Sequence, residues 1–161
     1  MKMLRRIVAL LFCAILLTVQ FSAVAESGSD VVYVTIHANL HYNKIGTHHG
    51  VTVYLDDIEI AHLEQGDQMT VGAYMMRDHT HILRFSHDKD GICDRKWTFS
   101  NLQDGTVIFC TVKATYGKVK LVDSSISVDS TMIVKVDRES ERYVKNFGTL
   151  IDPILHGSTG K

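Results

Sequence analysis

Apolar and polar residues alternate with period two along most of this chain, and Gly, Asp and Asn turns interrupt the alternation about every ten residues. Val32, Val34 and Ile36 alternate with Tyr33 and Thr35, and Val51, Val53 and Leu55 with Thr52 and Tyr54. A tight turn at Asp56-Asp57 leads into Ile58 to Leu63, and Glu64 to Asp67 leads into Met69 to Ala73. His81, Leu83 and Phe85 share one strand face, with Thr80, Ile82, Arg84 and Ser86 on the other. Turns at Asp88 to Gly91, Asn101 to Gly105 and Tyr116-Gly117 separate strands at Ile92 to Phe99, Thr106 to Ala114 and Lys118 to Val122. Ile126 with Val128, and Met132 to Val136, add one or two more. No window between residues 30 and 136 sustains an i, i+3, i+4, i+7 apolar pattern. The pattern predicts an all-β, antiparallel β-sandwich of seven to nine short strands over residues 30–136.

Two segments fall outside this pattern. Arg5 and Arg6 precede an apolar run from Ile7 to Val19, and Ala23-Val24-Ala25 reads as a cleavage site. That order predicts a signal peptide over residues 1–25, because the run is too short for the roughly 20 residues a bilayer span needs. The chain is therefore expected to be secreted or extracytoplasmic, touching membrane only during export. At the other end, residues 137–161 open on the charge run Asp137 to Arg142, which reads as a solvated surface or a frayed helix, and are expected to form a poorly ordered tail. Their ending, Gly157-Ser158-Thr159-Gly160-Lys161, imitates a phosphate loop, but Ile154 stands where its first glycine belongs.

Removing the leader takes Lys2, Arg5 and Arg6, so 17 basic residues become 14 against 18 acids, a net charge of about −4. With no basic block, nucleic acid is excluded as the expected partner. Cys93 and Cys110 remain, an even count that suits a disulfide in an exported chain. Both lie among apolar residues, which suits free buried thiols equally. A turn centred on Gln103 sets them about three residues out of register, which favours free thiols.

Val51-Thr52-Val53-Tyr54-Leu55-Asp56, the following Ile60-Ala61, and His81-Ile82-Leu83-Arg84-Phe85 together resemble the PEGA type of module. That family consists of small immunoglobulin-like β-domains in exported bacterial proteins. The resemblance implies an immunoglobulin-like sandwich and a structural or binding role, and it transfers no catalytic residue. Asp57 takes the place of the family's turn glycine, and Arg77-Asp78 stands where Pro-Gly is usual.

Eight histidines fall between residues 37 and 87. Histidine is the commonest metal ligand, so an extracytoplasmic zinc- or copper-binding protein is the alternative reading, with His79, His81 and His87 as ligands. No known zinc spacing is present, and His81 beside Leu83 and Phe85 reads equally as a buried strand residue. Ser86 and Trp97 occupy the first and twelfth places of a would-be calcium loop, where acids belong. There is no G-x-S-x-G or H-E-x-x-H motif, and neither cysteine has a polar setting that activates a thiolate. The expectation is a non-catalytic module without a cofactor, binding an unknown protein or cell-surface glycan. Tyr42, His48 and His49 in the polar loop 39–50, with the outward Tyr54, are the expected contact residues.

Overall fold

The alternation resolves into two sheets closing on one core. The computed structural model describes residues 28–41, 49–89, 94–116, 118–153 and 157–159. The expected leader, Tyr42, His48 and Cys93 lie outside them. The strands are β1 (Val31–Leu40), β2 (Val51–Leu55), β3 (Ile58–Leu63), β4 (Gln68–Met76), β5 (His81–His87), β6 (Arg95–Phe99), β7 (Thr106–Thr115) and β8 (Lys118–Val128). Helix α1 (Arg138–Phe147) and the short strands β9 (Leu150–Ile151) and β10 (Gly157–Thr159) are the remaining described elements.

The larger sheet runs β10-β4-β1-β7-β8, with β9 also on β4, and the smaller runs β3-β2-β5-β6. Val34, Ile36, Ala38 and Leu40 of β1 meet Val51, Val53 and Leu55 of β2 and Leu83 and Phe85 of β5 in a single buried cluster. All of these are 0–1% exposed, which follows from period two bringing every second residue to one side. Among the described residues the packing is all-β, with one α-helix added.

Four expectations are corrected. Pairing is not antiparallel throughout, because β1 lies parallel to β7, with Val34 opposite Thr106 and Leu40 opposite Val112. Alternation reports faces and carries no strand direction. The segments around Lys118 to Val122 and Ile126 to Val128 form one strand, carried through a register shift opposite Thr111 and Val112. Met132 to Val136 is not a strand. A short 3-10 turn at Ser130–Met132 ends at the first residue of that segment, with the Asp129 side chain accepting from Thr131 N, and Ile133 to Val136 form no regular element.

The tail is also more regular than expected. Asp137 caps α1 by accepting from Glu139 N and Ser140 N, and Gly148 closes it at φ 92°, where a side chain is strained. The helix buries Val144 and packs against β4 and β1, on the outer side of the larger sheet. Beyond it, Asp152 accepts from the Tyr33 hydroxyl at 2.8 Å, which fixes the chain end to β1. The Tyr33 ring lies over Gly72, and a Cβ on Gly72 would fall on its hydroxyl. No helix among the described residues is long and apolar enough to cross a membrane.

Candidate functional site

Helix α1 covers part of the larger sheet, whereas among the described residues no segment covers the outward face of the smaller sheet. Register places Glu59, Tyr54, Arg84 and Lys96 in one row across β3, β2, β5 and β6. His62, Thr52 and Ser86 form the next row, and Ile82 pairs with Thr98. Arg84 stacks on Tyr54 with its guanidinium carbon 3.9 Å from the ring centroid. Asp94 holds Arg84 Nη1 at 3.3 Å, and Asp57 lies 4.0 Å from Nη2. Ile82, 39% exposed, stands beside this pair. Tyr54 therefore faces outward, as the alternation predicts, and its ring is presented together with an arginine.

A histidine-rich group occupies the end of this sheet where β2 starts and β5 finishes. His62 Nε2 lies 3.3 Å from Glu64 Oε1 and 3.6 Å from Asp88 Oδ2. Thr52 Oγ1 is 3.2 Å from His62 Nδ1. The His49 and His87 rings meet at a 52° tilt with centroids 4.8 Å apart, and the His49 carbonyl accepts from Gln65 Nε2. His87 Nδ1 accepts from Lys89 N. Burial, then the adjacent His49, holds the His87 pKa below the ordinary histidine value, so its neutral form is favoured.

The opposite end holds a different network. His81, at the start of β5, donates Nδ1–H to Asp56 Oδ2 at 2.7 Å and Nε2–H to the Met76 carbonyl at 2.8 Å. Two acceptors on one ring require the imidazolium. Burial opposes that charge, but the Asp56 carboxylate and the Met76 carbonyl outweigh it and raise the His81 pKa. Burial likewise opposes ionisation of Asp56. Hydrogen bonds from His81, Thr149 and Ile82 N prevail and lower its pKa. The Thr149 hydroxyl donates to Asp56, not to His81, so no hydroxyl faces a free imidazole lone pair here.

The fold does not gather His79, His81 and His87. His79 sits exposed in the turn before β5, whereas His81 and His87 cap opposite ends of that strand. Six residue steps at about 3.3 Å each separate those two by roughly 20 Å. Among the described residues, the group placed to hold a metal is His62, Glu64 and Asp88. Sequence spacing gave no reason to single out His62, because its carboxylate partners come from a turn and from the far end of another strand. Cys110 is a free, buried thiol whose sulfur lies 3.5 Å from the His37 carbonyl. Burial pushes its pKa up to about 12. No protein-family model matches this chain, and no curated protein matches it.

Proposed function

We propose that this chain is an exported, non-catalytic β-sandwich module, immunoglobulin-like in the manner of the PEGA domains it resembles. It binds a partner protein or a cell-envelope component through the open face of its smaller sheet. The observation that carries this reading is the Arg84–Tyr54 stack beside exposed Ile82. Arginine and tyrosine are among the residue types enriched where binding energy concentrates. Because Asp94 and Tyr54 already hold Arg84 in place, little side-chain freedom is left to lose on binding.

A non-catalytic role is consistent with the state of the nucleophile and base candidates. Cys110 is a buried thiol with a raised pKa, and both His81 nitrogens are donating. The leader-like residues 1–25 support export. The test is retention of solubilised envelope components on the immobilised chain lacking residues 1–25. Replacing Tyr54, Ile82 and Arg84 together with alanine is expected to abolish that retention. Turnover of peptide, ester or glycoside substrates by the purified chain would overturn the non-catalytic assignment.

A further inference from the structure

We infer that His62, Glu64 and Asp88 form a site for one zinc-class divalent ion at the end of the open sheet face. Nothing in this inference depends on the partner-binding reading. Register brings His62 on β3 beside Thr52 on β2, while Asp88 follows directly on β5 and Glu64 on β3. One atom from each of the three residues lies within 4.8 Å of the others. The spacing has a physical meaning. A tetrahedral ion with bonds of about 2.0–2.1 Å sets its ligand atoms about 3.3 Å apart. The Nε2–Oε1 and Nε2–Oδ2 separations of 3.3 and 3.6 Å match that edge.

Two further features of the chain point to a ligand there. Thr52 Oγ1 lies 3.2 Å from the far ring nitrogen of His62, and in the tautomer whose Nδ1–H donates to this hydroxyl the Nε2 lone pair faces the two carboxylates. Three acceptor atoms then converge, and a divalent cation bound among them satisfies all three at once. The second feature is Gly50. A Cβ at this position would fall on Asp88 Oδ2 and stand 2.9 Å from His62 Nε2, so the absent side chain leaves room for the donors to meet. One imidazole with two carboxylates suits zinc and its first-row neighbours, whereas calcium and magnesium prefer all-oxygen shells. Water completes the fourth position.

The rival arrangement is a plain ion pair, with a proton on His62 Nε2 in place of the metal. Titration of the untagged chain lacking residues 1–25 with zinc chloride, followed by calorimetry, separates the two. One saturable equivalent is expected, weakened at least tenfold by His62→Ala and by Asp88→Asn. His79→Ala is expected to leave it unchanged. Both ligand side chains are solvent-accessible, so the melting temperatures of these variants should stay near that of the parent. Gly50→Ala provides an independent arm, because it blocks the site without removing a donor. An absence of saturable zinc binding, or equal binding by His62→Ala, overturns the inference.

Discussion

The His81 imidazolium and the Asp56 carboxylate form a 2.7 Å ion pair that ties the first residue of β5 to the turn between β2 and β3. Thr149, just after α1, donates to the same carboxylate, so three distant chain segments meet at one charge. The His81 side chain is 6% exposed and that of Asp56 25%. Breaking such a pair from one side costs 3–5 kcal/mol when fully buried, and the partial exposure of Asp56 reduces this to about 2 kcal/mol for His81→Ala. Chemical denaturation of the two chains measures the difference directly.

The pair also sets a pH window. His81 is raised from its ordinary value of 6.5, so its contribution is whole below that value and is lost as pH climbs through the raised one. Asp56 is lowered from 3.8, so its contribution is whole above that value and is lost as pH falls through the lowered one. The stabilisation is therefore greatest between about pH 4 and 6.5 and declines towards alkaline pH. Melting curves carried from this range to higher pH should show a steeper alkaline decline for the parent chain than for His81→Phe. Parallel slopes would remove the pair from the account.

The same turn offers a contrast between two neighbouring aspartates. Asp56 and Asp57 both have positive φ, 48° and 66°, as a two-residue hairpin turn requires. Asp57 is 95% exposed, and among the described residues its ion-pair contact is the long 4.0 Å approach to Arg84. Asp57→Gly relieves the backbone at little loss and should stabilise the chain by roughly 0.5–1 kcal/mol. Asp56→Gly relieves the same kind of strain but removes the carboxylate that His81 and Thr149 need, so it should destabilise. Equal signs for the two variants would contradict the role given to Asp56.

Cys110 yields a chemical prediction. Its thiol is buried and its pKa is pushed up to about 12, so it should resist alkylation in the native chain. Under denaturing, non-reducing conditions it should alkylate fully, and peptide mapping identifies the modified residue. Failure to alkylate without a reductant would mean a disulfide in place of the free thiol.

Much of this fold was legible as alternation, because a strand with one buried face records its orientation in every second residue. Leu83, Phe85 and His81 were readable as one inward set in this way. Strand direction and long-range order were not, since β1 and β7 are separated by five strands that leave no mark on either. Helix α1 reads in the sequence as no more than a solvated surface or a frayed helix, although Asp137 caps and Gly148 closes the segment. A single buried residue, Val144, is too little for a periodicity count to register. The histidine end shows a different limit. His62 meets Asp88 only because β2 aligns β3 and β5, and residues 26 positions apart give no local signal of that meeting.

Site-specific photo-cross-linking in cells tests the binding face most directly. A photoreactive residue replaces Ile82 on the open sheet in one chain and Tyr143 on the outer side of α1 in another. Discrete partner adducts are expected from position 82 and not from position 143. They should disappear when Tyr54 and Arg84 are also changed to alanine. Adducts from position 143 alone, or adducts from position 82 that persist without Tyr54 and Arg84, would contradict a partner surface on the smaller sheet.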